Sequence, residues 1–151
     1  MSVVIQFSTS GGLVAKGVQF RTFSWASHVD LVTSKGTLIG AEWQNGVSER
    51  PYERSEYERI ERYVVEGVSQ ELVESIIRGE LGKPYDFGAI WGFISRTDKF
   101  SNTEKWFCSE LIAWVFQEAN MPLLNPDVDA QFIAPSHLLM SPYLKKVALP
   151  Q

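Results

Sequence analysis

Cys108 is the only cysteine among 151 residues, and His28 and His137 are the only histidines. That inventory allows no intrachain disulfide and no Cys-rich metal site, and a structural zinc would need carboxylate ligands. No metal and no other cofactor is expected. The same residues are the minimum set for a thiol nucleophile and its imidazole base. A sulfur in the first turn of a helix feels the partial positive charge of unpaired backbone N–H groups, which favours the thiolate, and an adjacent imidazolium favours it further. Those amides can also line an oxyanion hole.

The elements that would position this chemistry are readable from periodicity. Apolar residues at 111, 112, 115, 116 and 119 form one stripe of a helix over Cys108–Asn120, with Cys108 on the stripe at its N-terminal end. His28–Val32 and Thr37–Glu42 read as two strands joined by a three-residue hairpin loop, Ser34-Lys35-Gly36, with Gly36 in the left-handed position. In that register paired residue numbers sum to about 70. Glu42 then falls opposite His28, with Cβ atoms about 4.5–5.5 Å apart. A carboxylate there would hold the imidazole tautomer and favour the protonated ring. Gly40 falls opposite Asp30, which shares the His28 face by strand alternation.

Elsewhere Val3–Phe7 reads as a strand, broken by Ser8 to Gly12 and followed by an irregular or helical stretch to Phe23. Arg59–Glu66 reads as another strand. Ser69 starts a helix whose Leu72, Val73, Ile76, Ile77 and Leu81 recur at helical spacing until Gly82-Lys83-Pro84. Asp86–Ile94 is an aromatic-rich helical candidate, and the proline-rich tail carries a short helix capped by Ser136. The Glu/Arg run from 49 to 62 reads as a solvated face with no site. Strands first and helices later is the order of an α+β fold in a single domain, 1–151.

Ser27-His28-Val29, Glu42 with Gly46-Val47, Gly82-Lys83-Pro84-Tyr85-Asp86, Phe107-Cys108-Ser109-Glu110-Leu111 and the late Ala134-Pro135-Ser136 together resemble the circularly permuted NlpC/P60 superfamily of papain-like cysteine hydrolases, in particular its YiiX-like members. The resemblance spans about His28 to Pro142. It implies a permuted papain-like topology, with an antiparallel sheet packed against the Cys-bearing helix, and a bacterial or phage origin. Carried over, Cys108 matches the nucleophile, His28 the base and Glu42 the third polar residue. Tyr85 matches a tyrosine beside the active site that helps bind the substrate carbonyl. Asp30 departs from the small residue usual at that place; it crowds the cleft, competes with Glu42 as orienter, or selects a cationic substrate group. Trp106 either lines the substrate groove or packs in the core. His137, the rival base, is better placed for a surface or capping role.

The implied function is cleavage of an amide bond in a peptide or peptidoglycan-type substrate. Two rivals stand beside it: ester or lipid acyl chemistry on the same triad, marked by Trp91, Phe93 and Trp106 around one groove, and a non-catalytic binding or phage structural module. Composition limits the rest. With 44% hydrophobic and 21% charged residues the chain can bury a core. A net charge of −4 argues against bulk electrostatic binding of nucleic acid. No apolar run reaches the roughly 18–20 residues of a membrane helix, and the start of the chain lacks a signal-peptide pattern, so a cytoplasmic protein is expected. The oligomeric state is left open.

Overall fold

The computed structural model describes residues 1–12, 16, 24–86, 106–128 and 133–150. Six antiparallel strands form one sheet, in the order β4-β3-β2-β1-β5-β6. They are β1 (Ser2–Thr9), β2 (His28–Val32), β3 (Leu38–Glu42), β4 (Gly46–Arg50), β5 (Arg59–Glu66) and β6 (Leu144–Val147). Three α-helices are described: α1 (Gln70–Arg78), α2 (Cys108–Glu118) and α3 (Pro135–Leu139). The class is α+β. The run from His28 to Arg50 builds one half of the sheet as a meander; the chain then crosses over to lay β5 along the other side of β1.

Alternation sorts the strand residues onto two faces. Val3, Ile5 and Phe7 of β1, Val29 and Leu31 of β2, and Ile39 and Ala41 of β3 are fully buried, and α2 packs on β2 and β3 over them. From α2 this core receives Leu111, Ile112, Val115 and Phe116 on the expected stripe, together with Cys108. Full burial of side chains of this size stabilises by about 1.5–3 kcal/mol each, so the docking of α2 on the sheet is strongly specified. The other face of the same strands carries Gln6 and Ser8 of β1, His28 and Asp30 of β2, Glu42 of β3, and Ser48 and Arg50 of β4, beside the apolar Val4, Val32 and Leu38.

The hairpin follows the expected register. Leu31 pairs with Ile39 and Val32 with Leu38, the Thr33 N–H donates to the Thr37 carbonyl at 2.8 Å, and Gly36 has φ 80°.

Several boundaries differ. α1 is capped by Ser69, whose Oγ accepts from the Leu72 N–H at 3.3 Å, but it ends at Arg78. Leu72 and Leu81 point outward, 43% and 40% exposed, because nine residues turn only Val73 and Ile77 fully inward. Ser136 does not cap α3. Pro135 occupies the first turn, where its missing N–H breaks no bond, and Nδ1 of His137 accepts from the Ala134 N–H at 3.0 Å. His137 is thus a capping residue, the expected alternative to a base. β4 and β6 were not foreseen; β4 lies partly within the Glu/Arg run expected to be solvated. The stretch to Phe23 and the helix to Ile94 lie largely outside the described residues.

Candidate active site

Three backbone contacts gather the motif segments. The Val47 N–H donates to the Lys83 carbonyl at 2.8 Å, and the Gly82 N–H donates to the Val47 carbonyl at 2.9 Å, so the Gly-Lys-Pro turn lies against β4. The turn approaches so closely that a Cβ on Gly46 would stand 2.3 Å from the Lys83 oxygen, which is why glycine begins this strand. The third contact is reciprocal: the Trp106 N–H donates to the Pro84 carbonyl and the Asp86 N–H to the Trp106 carbonyl, each at 3.0 Å. These bonds hold Tyr85 beside the start of α2. The helix start is fixed by the Glu110 carboxylate, which accepts from the Phe107 N–H at 3.3 Å, and by the Ser109 hydroxyl, which donates to the Ile133 carbonyl.

A cleft of about 450 Å³ opens at this meeting point. His28, Glu42, Arg50, Tyr57, Tyr85 and Trp43 are among its lining residues, with Ser8 and Ser27. Cys108 is not among the described lining residues: it has no exposed surface and packs in the core, with its Sγ 3.9 Å from the carbonyl oxygen of Ser27, which does line the cleft. The sulfur is near enough to the His28 ring to favour its protonated form.

The imidazole is bound by Asp30, not Glu42. His28 Nε2 is 2.9 Å from Asp30 Oδ1, and Asp30 is completely buried. Glu42 instead pairs with Arg50, Oε1 to Nε at 3.0 Å, and accepts from Ser48 Oγ at 3.3 Å. The expected contact between Glu42 and His28 is therefore corrected, although the register that motivated it is right. The ladder between β2 and β3 runs only over Leu31–Ile39 and Val32–Leu38. Beyond it the Arg50 guanidinium reaches across from β4, giving Nη2 to Asp30 Oδ2 at 2.7 Å and lying 3.4 Å from His28 Nε2. Glycine at position 40 makes this possible: a Cβ there would meet Asp30 Oδ1 at 2.0 Å.

Charge follows from the geometry. Burial works against a charged His28 ring, but the Asp30 carboxylate and the Cys108 sulfur outweigh it, and the imidazole pKa rises from 6.5 to about 10. Burial likewise opposes the Asp30 charge, yet His28 and Arg50 pull its carboxyl down to about 2. At neutral pH the pair is imidazolium and carboxylate. Burial, with the nearby Cys108 and Asp86, pushes the Tyr85 hydroxyl far above the usual phenol range, so it remains a neutral donor.

Of the residues singled out from sequence, His28, Asp30, Glu42, Tyr85 and Cys108 come together. Trp106 does not join the described lining: its indole N–H donates to Glu80 Oε2 at 2.7 Å, and its ring packs on Trp114 at 5.1 Å between centroids. Trp91 and Phe93 lie outside the described residues. Arg50 was missed, since within a Glu/Arg run nothing local separates it from solvated neighbours. The one available signal was alternation from Gly46, which puts Ser48 and Arg50 on the His28 face once β4 is recognised.

No protein-family model matches the chain, and no curated protein does. Among solved structures it is similar to the metalloprotein yiiX from Escherichia coli O157:H7, described as DUF1105. The TM-score is 0.73 at 22% identity, over 98% of this chain and 96% of that one. The likeness shows a YiiX-like fold. No described helix is long and apolar enough to cross a membrane.

Proposed function

We propose that the protein is a thiol hydrolase with a permuted papain-like arrangement, cleaving an amide bond in a peptide or peptidoglycan-type substrate. The observation that carries this is the His28 ring on the lining of an open cleft, bound by the buried Asp30 carboxylate and close enough to the Cys108 sulfur to feel it. Cys108 is the nucleophile, His28 the proton carrier, and Asp30 the orienter. Sulfur, as thiolate beside the imidazolium, attacks the carbonyl carbon, and a C–S bond forms. The oxyanion is met by the Cys108 backbone N–H and the Tyr85 hydroxyl. The C–N bond then breaks as the leaving amine takes the imidazolium proton. Neutral His28 next removes a proton from water, whose oxygen attacks the thioester; the C–S bond breaks and the acid departs.

The description of yiiX as a metalloprotein prompts the question of a metal here. Among the described residues no group of three or more His, Cys, Asp or Glu side chains is arranged to hold one. Both Asp30 oxygens are engaged, one by His28 and one by Arg50, and the guanidinium would repel a cation approaching the ring. The site's residues do not fit a metal ion, and no step is assigned to one.

Iodoacetamide alkylation of Cys108 at pH 5–6 tests the proposal with a probe small enough for a buried sulfur. The folded protein should label on the order of 100-fold faster than free cysteine, whose thiol titrates near pH 8.5. H28A should remove the advantage. Labelling at the ordinary thiol rate, or only after unfolding, would overturn the hydrolase and favour a binding module. A panel of amide and thioester substrates then separates peptide from acyl chemistry.

A further inference from the structure

Arg50 occupies the last position of β4, two strands from His28, yet its guanidinium ends among the groups that hold the imidazole. It is 15% exposed and faces two carboxylates at once: Nη2 on Asp30 Oδ2 at 2.7 Å and Nε on Glu42 Oε1 at 3.0 Å. Asp30 therefore has one oxygen on the ring and the other on the guanidinium, so rotating the carboxylate away from either partner breaks both contacts. Glu42 is braced in turn by Ser48 at 3.3 Å and Asn45 at 3.5 Å. We propose that Arg50 is a positioning residue of the site: its guanidinium fixes Asp30 as the anionic partner of His28 and couples that pair to Glu42 through an ion pair. The inference rests on the hydrolase reading of His28 and Cys108 and deepens it.

The physical need is plain. Asp30 is entirely buried, and a buried carboxylate with a single partner relieves its burial by taking a proton. The titratable groups facing this cluster are His28 from β2, Glu42 from β3, Tyr57 after the 3-10 turn Arg54–Glu56, Tyr85 from the Gly-Lys-Pro turn, and Cys108 from the start of α2. Among the described residues, only His28 and Arg50 set positive charge against Asp30, Glu42 and the proposed Cys108 thiolate. Removing Arg50 leaves the imidazolium as the one described cation facing them, and the cluster takes up a proton at higher pH. The guanidinium serves by charge and by one directed bond: Nη2 donates to Asp30, while Glu42 meets Nε as an ion pair.

The experiment is the pH profile of iodoacetamide alkylation of Cys108, with the His28 ring followed by ¹⁵N NMR, in wild type, R50Q and R50K. R50Q should move the acid limb of alkylation up by about one pH unit or more, and R50K should restore most of that shift. The NMR signals report the ring even if alkylation is slow, and R50K retains the charge should R50Q fold poorly. An R50Q limb superimposable on wild type, or a uniform slowing at every pH in both variants, overturns the role of Arg50. A wild-type limb at the pH of an ordinary thiol is a different result: it removes the hydrolase reading itself.

Discussion

Asp30 and Glu42 are both carboxylates on the polar face of the sheet, and their surroundings give them unequal tasks. Asp30, fully buried between an imidazole and a guanidinium, cannot lose its charge without taking a buried anion from both cations. Glu42, with a quarter of its side chain exposed, can exchange Arg50 for water. D30N should therefore lower turnover on the order of 100-fold and destabilise the fold by about 3 kcal/mol. E42Q should cost under about 1 kcal/mol and leave turnover within about tenfold. Steady-state kinetics with urea denaturation on both variants checks the ranking; equal effects would return Glu42 to the orienting role. The difference between the two residues was hidden in the sequence, where register gives the directly opposed partner but not a side chain arriving from the next strand.

At the level of elements, the site depends on three strands meeting without a side chain at one crossing. Gly40 stands between Ser48 and Asp30 in the row across β4, β3 and β2, and an added methyl would overlap the Asp30 carboxylate. G40A should destabilise the protein by about 1–3 kcal/mol through overpacking and displace Asp30 from the His28 ring. The urea midpoint reads the first effect, and a fall in the His28 pKa by ¹⁵N NMR reads the second. A variant as stable as wild type with an unmoved His28 titration would show that the strands can spread at that point. The pairing of Gly40 with Asp30 was legible from the hairpin register, because loop length fixes it. β4 was not legible, since its Ser48-Glu49-Arg50 end carries no apolar alternation. It is held by pairing with β3 and by the turn at Lys83, both contacts distant in sequence or dependent on a partner strand.

For the molecule as a whole, the buried ion pair links stability to pH from both sides. The His28 pKa is raised from 6.5 to about 10, so its contribution is fully present below about pH 6.5 and disappears as pH rises through 10. The Asp30 pKa is lowered from 3.8 to about 2, so its contribution is present above about pH 3.8 and disappears as pH falls through 2. Glu49, held near 2 by Arg78 and Thr37, and Glu61, held near 2 against its burial by Arg59, Tyr63 and Lys146, add to the acid side only. Urea midpoints should accordingly be highest between about pH 4.5 and 6.5 and decline from pH 7 to 10, with D30N flattening the alkaline decline specifically. A wild-type midpoint constant from pH 6 to 10 would contradict the raised His28 pKa.

Sequence alone determined what is local. Hydrophobic period drew α2 with Cys108 at its head, loop length set the β2–β3 register, and the helix and strand order gave the α+β class. Each of these depends on residues within a few turns or one hairpin of each other, where backbone geometry leaves few choices. Tertiary structure decided which charges meet. Arg50 joins Asp30 from two strands away, His137 turns to cap its own helix, and Trp106 gives its N–H to Glu80. A long side chain takes its partner from whatever the packed elements place within reach, and that is settled only when α2 and the Gly82–Asp86 turn have closed on the sheet.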